Sequence, residues 1–113
     1  MHEMALCESI LGILREQAGR DDFSKVERVC LEVGPLSGVE TDALRFGFDV
    51  VMRGSLAEGA TLDIVTPPAT AWCWPCSETV AISERFDPCP ECGSHQLQVT
   101  SGEEMRIKEL EVS

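Results

Sequence analysis

Two pairs of cysteines constrain the fold of this chain more than any other feature of its sequence. Cys73 and Cys76 are separated by two residues, and after twelve more residues Cys89 and Cys92 repeat that spacing. One tight turn can present both sulfurs of such a pair to a single ion, and Zn²⁺ prefers four ligands in a tetrahedron. Gly93 follows the fourth cysteine and permits the positive φ that such a turn often needs. The spacing therefore predicts a zinc site made of four thiolates.

Other uses of the same cysteines are a disulfide pair, an iron site of the rubredoxin type and a dithiol redox centre. A redox Cys-x-x-Cys motif normally occurs once and opens a helix. This chain has two such motifs in a segment without helical periodicity. An iron site would make the protein red, so a colourless preparation would exclude it.

The size of the cysteine segment predicts the domain organisation. A chain of 113 residues is long enough for one domain with a modest core. The cysteine segment is too short to be stable through apolar burial, so we expect the metal to stabilise it. Pro67, Pro68 and Gly102 mark its boundaries. The sequence thus predicts a main α+β domain of residues 1–66 and 102–113 and a zinc-binding lobe of residues 67–101.

Hydrophobic periodicity predicts an α+β fold, with two helices on a small three-stranded sheet and an inserted zinc-ribbon-like lobe. The first helix is expected over residues 4–18, with Gly19 as its stop, and the second begins near Glu40 or Thr41. Longer strands are expected at residues 25–33, 60–66 and 105–112, and short strands at 69–73, 79–82 and 97–100. Residues expected to be buried are Cys7, Ile10, Leu11, Leu14 and Cys30, and on the second helix Leu44, Gly47, Phe48 and Val51.

The charge of the chain limits the classes of partner. The net charge is −11 at pH 7, and an acidic surface repels phosphate, so nucleic acid and anionic membranes are not expected partners. The sequence has no long apolar run and no leader of the secretory type. Free paired cysteines require a reducing compartment, which predicts a cytoplasmic protein.

The first three residues form a second group of potential metal ligands. The amine of Met1, the imidazole of His2 and the carboxylate of Glu3 lie within three residues. With histidine in second position, the amine, the intervening amide nitrogen and the ring can chelate one ion, and nitrogen-rich sites suit Ni²⁺ and Cu²⁺. On these residues alone, His2 could equally be a polar residue at a frayed end. His95, three residues after Cys92, is a solvated residue or a neighbour of the zinc site, because four thiolates already fill the tetrahedron.

The sequence lacks the parts of an active site. No nucleophile with a base and an orienting group stands out, and the loop from Gly34 to Gly38 contains a proline and lacks the Lys-Ser/Thr pair of a phosphate-binding loop. We therefore expect a protein that is not an enzyme.

Several motifs, taken in order along the chain, resemble the HypA/HybF family of hydrogenase maturation nickel-insertion proteins. They are residues 1–3, the loop of residues 33–40, the two cysteine pairs and the ending of residues 106–112. The likeness covers essentially the whole chain. Trp72, Trp74 and the region of Cys7 look closer to the HybF branch.

This resemblance implies a small cytoplasmic metallochaperone. It implies nickel binding through Met1, His2 and Glu3, with Glu40 or Asp42 as looser candidates, and structural zinc on Cys73, Cys76, Cys89 and Cys92. The implied partners are a nickel-handling GTPase similar to HypB and the large subunit of nickel–iron hydrogenase. Urease maturation proteins are further partners in some bacteria. The chain departs from the family in having only His95 beside the cysteine pairs.

A zinc-ribbon module for protein interaction or transcription, without nickel, is the competing hypothesis. Such a module predicts a basic face, which a chain with nine lysine and arginine residues against twenty acidic ones lacks. It also predicts that changes in the first three residues do not affect the function of the protein.

Overall fold

The structure, a computed structural model, describes residues 2–113, so Met1 lies outside the described residues. In chain order the elements are α1 (His2–Asp21), β1 (Val26–Val33), α2 (Thr41–Met52), β2 (Thr61–Val65), β3 (Ala69–Cys73), β4 (Glu78–Ile82), β5 (Leu97–Ser101) and β6 (Met105–Val112). The strands form two three-stranded sheets, with orders β2-β1-β6 and β4-β3-β5. The predicted α+β class is confirmed, with two helices, a small three-stranded sheet and a separate small sheet in the cysteine segment.

Contacts between residues divide the chain into two compact units. The first unit contains the described residues up to Leu31 together with Val39–Ile64 and Ile107–Ser113, and it includes both helices. The second contains Glu32–Gly38 and Val65–Arg106, and it includes all four paired cysteines.

Helix α1 is longer at both ends than its apolar periodicity predicts. It begins at His2 and continues through Gly19 to Asp21. The helix ends where Asp22 adopts φ of 57°, the left-handed conformation that terminates many helices. Its buried residues are Cys7, Ile10, Leu11 and Leu14, as predicted.

Helix α2 begins where its capping signal predicts. Glu40 is the N-cap, and its carboxylate accepts a hydrogen bond from the backbone N–H of Asp42 at 3.0 Å. The predicted buried stripe is wrong at its last position, since Met52 is buried and Val51 only half-buried. Met52 lies four residues after the buried Phe48 and therefore stays on the same face of the helix.

The close approach of α1 and α2 explains the glycine in the buried face of α2. A Cβ atom built at Gly47 would lie 3.2 Å from Sγ of Cys7. Cys7 itself is fully buried and donates its S–H to the carbonyl oxygen of Leu44 at 3.4 Å. Burial, and next the charge of Glu3, raise the pKa of the Cys7 thiol to about 11. Cys7 is therefore an inert core residue, as is the buried Cys30 of β1.

The second unit is built on a three-stranded antiparallel sheet with a very small core. Strand β3 lies between β4 and β5 and pairs antiparallel with both, so that Ala71 faces Val80 on one side and Val99 on the other. Its buried core consists of Ala69, Ala71, Cys73, Val80, Ile82 and Cys89. Two of these six residues are alanines and two are cysteines, and a core this small needs a further source of stability.

A tight backbone contact in this unit leads to a first prediction. Gly102 has φ of +105°, and a Cβ atom there would lie 2.4 Å from Cβ of Ala69. We expect Gly102→Ala to destabilise the second unit by about 3 kcal/mol, through overpacking together with backbone strain. Gly38 is the matched control, because it has φ of +76° in open space, so Gly38→Ala should cost only about 1 kcal/mol of strain. Denaturant unfolding of both variants measures the difference, and equal costs would show that the contact is not tight.

Candidate metal centres

The structure brings the four paired cysteines into one cluster. Their Sγ atoms all lie within 4.8 Å of one another. The distance is 3.7 Å between the sulfurs of Cys73 and Cys92 and 4.0 Å between those of Cys76 and Cys89. Sulfurs bound to one tetrahedral Zn²⁺ at about 2.3 Å lie about 3.8 Å apart. The four thiols are free rather than joined in disulfides, and their spacing fits a tetrahedral ion.

Backbone hydrogen bonds shape the turn that carries the second cysteine pair. The carbonyl oxygen of Cys89 accepts from the N–H of Gly93 at 2.8 Å, and the N–H of Cys89 donates to the carbonyl oxygen of Ser94 at 2.8 Å. Gly93 has φ of +76°, as its position after the cysteine predicts. The N–H of Glu91 points at Sγ of Cys89 at 3.4 Å, an interaction that favours the thiolate.

The first cysteine pair is held in a similar way but without a glycine. Cys73 is the last residue of β3, and the turn that follows carries Cys76. Ser77 takes the positive φ there, at 52°. The N–H of Trp74 donates to the carbonyl oxygen of Gln96 at 3.2 Å, which joins this turn to the segment after the second pair. The two turns are therefore placed relative to each other by the backbone as well as by the cluster.

The cluster favours one thiolate before any metal is bound. Burial raises the pKa of the Cys73 thiol, and contact with the thiol of Cys92 is the main cause of the raised pKa of Cys76. Burial acts in the same direction on Cys89, but the backbone N–H groups of Cys92 and Glu91 outweigh it and lower the pKa of Cys89 to about 7. Binding of a divalent ion would release the protons that the other thiols hold.

The first turn of α1 carries the other predicted ligands. Nδ1 of His2 lies 3.6 Å from Oε2 of Glu3. The His2 side chain is 62% exposed, whereas that of Glu3 is 20% exposed. The N–H groups of a first helical turn have no backbone acceptor within the helix. The structure thus brings His2 and Glu3 together, while the third predicted ligand, Met1, lies outside the described residues.

Glu3 makes a contact that the sequence does not reveal. Its carboxylate accepts a hydrogen bond from the backbone N–H of Glu40 at 3.1 Å, directly before α2. This hydrogen bond is the main reason that the pKa of Glu3 lies below its ordinary value. The two residues are 37 positions apart, and neither has a local signal for the contact. Glu3 is therefore a carboxylate held in place beside an exposed imidazole.

Glu40 and His95, two further candidate ligands, lie outside the sulfur cluster. The carboxylate of Glu40 caps α2 by accepting from the N–H of Asp42. His95 is exposed, lines a small cavity with Ile82 and Leu97, and is not part of the sulfur cluster. Within residues 2–113, the cluster is the one group of three or more cysteine, histidine or acidic residues that has the geometry of a metal site.

Comparison with known proteins identifies the family. Residues 1–112 match the family model described as "Hydrogenase/urease nickel incorporation, metallochaperone, hypA". The chain belongs to the HypA family. Its relatives include the hydrogenase maturation factors HypA of Acidithiobacillus ferrooxidans, 61% identical, and of Alkalilimnicola ehrlichii, 62% identical. Each comparison covers 99% of this chain and 99% of the relative.

Solved structures of HypA proteins have the same fold. The solution structure of the nickel metallochaperone HypA from Helicobacter pylori is similar, with a TM-score of 0.72 and 28% identity, covering 97% of this chain and 96% of that chain. A second HypA solution structure has a TM-score of 0.74 and 29% identity, covering 100% of this chain and 97% of that one. The predicted HypA/HybF membership is confirmed, and the closer likeness to the HybF branch stays a prediction. Over residues 2–113 no helix combines the length and the apolar character that crossing a membrane requires.

Proposed function

We propose that this chain is a nickel metallochaperone that delivers Ni²⁺ for the maturation of nickel–iron hydrogenase. The observation that carries the proposal is the family match over residues 1–112, supported by relatives of equal length that are named hydrogenase maturation factors. The protein acts in the cytoplasm as a carrier and not as an enzyme. Its expected partners are a HypB-like GTPase, the hydrogenase large subunit and, where urease is present, urease maturation proteins.

Nickel, the cargo, binds at the start of α1 through Met1, His2 and Glu3. The exposure of His2 and its closeness to Glu3 support this assignment. Amine and imidazole nitrogens are donors that Ni²⁺ favours. Glu3 is already ionised and held by Glu40, so it supplies negative charge without the cost of ordering a flexible side chain.

The four cysteines hold Zn²⁺ as a resident structural metal. The distances of 3.7 and 4.0 Å between two pairs of these sulfurs support this choice. Zinc bound there adds the stability that the small buried core of the second unit lacks, because metal binding to a site formed only on folding is itself a folding free energy. Four protein ligands leave no open position for chemistry.

The two proposed sites differ in their accessibility and in how firmly they hold the metal, and delivery requires this difference. A carrier must hold Ni²⁺ away from other ligands and then release it. A dissociation constant of about 1 μM, which corresponds to a binding free energy of about −8 kcal/mol, suits both needs. An exposed site in the first turn of a helix is accessible to a recipient protein, whereas four thiolates in a folded cluster retain their ion.

A transfer assay tests the function. Nickel-loaded protein is mixed with metal-free hydrogenase large subunit, in the presence of a chelator that captures free Ni²⁺. We expect nickel to appear in the large subunit when the wild-type protein is the donor and not when His2→Ala protein treated with the same nickel is used. Equal transfer from nickel salt alone, without the protein, would contradict the proposed function.

A further inference from the structure

The outer face of α2 carries an apolar stripe. Phe46 is 68% exposed, more than any other large apolar side chain described in the first unit. Ala43 lies three residues before it and Val50 four residues after it, and these spacings place all three on one side of the helix. Ala43 is exposed and Val50 is half-buried. The stripe is therefore a continuous surface and not a single exposed phenylalanine.

The stripe lies toward the side of α2 against which α1 packs. A Cβ atom built at Gly47 would lie 3.6 Å from Sδ of Met4 and 3.7 Å from its Cα atom, so Gly47 marks the contact with α1. Successive residues of a helix are about 100° apart, which places Ala43 and Val50 between Phe46 and Gly47 around the helix axis. The half-buried Met4 extends this surface onto α1. We call Met4, Ala43, Phe46 and Val50 the apolar patch.

The apolar patch adjoins the proposed nickel site. Met4 directly follows Glu3, and the exposed His2 precedes both. The carboxylate of Glu3 accepts the hydrogen bond of 3.1 Å from the N–H of Glu40, which lies three residues before Ala43. A protein that takes nickel from His2 has to enter the coordination sphere of the ion, so its surface also covers side chains within one helical turn, about 5.4 Å. Such a recipient contacts the patch whenever nickel is transferred.

The surroundings of the apolar patch are acidic. Residues 2–14 and 40–53 contain five acidic side chains against two arginines. Both arginines already donate hydrogen bonds within this chain, one to a backbone carbonyl oxygen and one to a carboxylate. Glu8, one helical turn after Met4, and Asp42, next to Ala43, are exposed beside the patch. The complementary partner surface is therefore apolar at its centre and basic at its rim.

We infer that the apolar patch is the surface on which the nickel-accepting protein docks, with Phe46 in an apolar pocket of that protein and basic side chains of the partner facing Glu8 and Asp42. The inference rests on the proposed function, because a nickel carrier needs a docking surface beside its cargo. Large aromatic side chains are frequent anchors of protein interfaces. Opposite charges at the rim orient the two proteins and speed their encounter.

Substitution of Phe46 tests the docking surface. Biolayer interferometry measures the binding of the zinc-loaded, nickel-free protein to metal-free hydrogenase large subunit. Phe46→Ser should weaken this binding about ten-fold or more. Ile13→Ser is the control and should leave it unchanged, because Ile13 is 47% exposed but lies in a groove beside β6, outside the patch. Neither residue is a candidate metal ligand, so both variants should keep the nickel affinity and the circular dichroism spectrum of the wild type.

A charge reversal tests the basic rim of the partner. Glu8→Lys should weaken binding to the large subunit and make the association rate less sensitive to salt, because it removes an attraction that salt screens. Glu16→Lys is the matched control, since it makes the same change in net charge two turns further along α1, at another exposed glutamate. It should have little effect on the affinity.

The results distinguish failure of the docking surface from failure of the proposed function. A large subunit that neither binds the wild-type protein nor takes nickel from it would contradict both. Binding and nickel transfer by Phe46→Ser at the wild-type level would overturn the docking surface alone, and so would equal losses in Phe46→Ser and Ile13→Ser. Equal effects of Glu8→Lys and Glu16→Lys would overturn the basic rim.

Discussion

Replacing Cys89 by serine is expected to remove the bound metal and to unfold the second unit. Serine does not replace a thiolate as a zinc ligand. Zinc binding contributes about 10–16 kcal/mol in small domains that depend on it, whereas the buried core here is six residues, most of them small. Elemental analysis should find one zinc per wild-type chain and less than a tenth of that in Cys89→Ser. Amide resonances of Val65–Arg106 should lose their dispersion.

Cys30→Ala is the matched control for this variant. Cys30 is a buried thiol of the first unit and lies outside the sulfur cluster. Its loss leaves a small cavity in the core but should leave the zinc content unchanged. Both helices belong to the first unit, so circular dichroism of Cys89→Ser should retain a helical signal. A Cys89→Ser protein that keeps its zinc, or whose second unit stays ordered without zinc, would contradict the structural role of the metal.

Local patterns explain why so much of the cysteine site could be predicted. Two residues between ligands, and a glycine after the fourth, determine the geometry of each turn within a few positions. The same holds for the cap of α2 at Glu40, which depends on the N–H of Asp42 two residues away. The end of α1 was less predictable, because a glycine only weakens a helix and the actual stop is the left-handed Asp22.

Long-range contacts explain what the sequence does not show. Residues 32–38 join the second unit through bonds such as Leu36 N–H to the carbonyl oxygen of Gly102, at 2.8 Å. The hydrogen bond between Glu3 and the N–H of Glu40 likewise depends on how α1 and α2 pack. Periodicity cannot reveal such pairings, because it describes only the face on which a residue lies.

His2→Ala is expected to weaken nickel binding more than about 100-fold, since loss even of an outer-shell partner of a metal ligand can cost 10–100-fold. The zinc content and the melting temperature should hardly change, because His2 is exposed and contributes little to the core. The control is His95→Ala, which removes the other histidine of the chain, an exposed residue outside the sulfur cluster. It should leave nickel affinity unchanged.

A short Gly-Ser extension before Met1 distinguishes a nickel chelate that includes the α-amine from nickel binding by an ordinary surface histidine. The extension keeps His2 and Glu3 but moves the α-amine out of chelating distance. Nickel affinity should therefore fall, although every side chain is still present. A site formed by the His2 imidazole and the Glu3 carboxylate alone would keep its affinity.

Calorimetric titration of Ni²⁺ into zinc-loaded protein tests the account most directly, with the wild type, His2→Ala, His95→Ala and the extended chain compared at one pH. We expect one nickel per chain for the wild type and for His95→Ala, with a dissociation constant near 1 μM. We expect no measurable binding for His2→Ala and clearly weaker binding for the extended chain. Equal affinity in all four proteins would contradict it and would place the nickel site away from the start of α1.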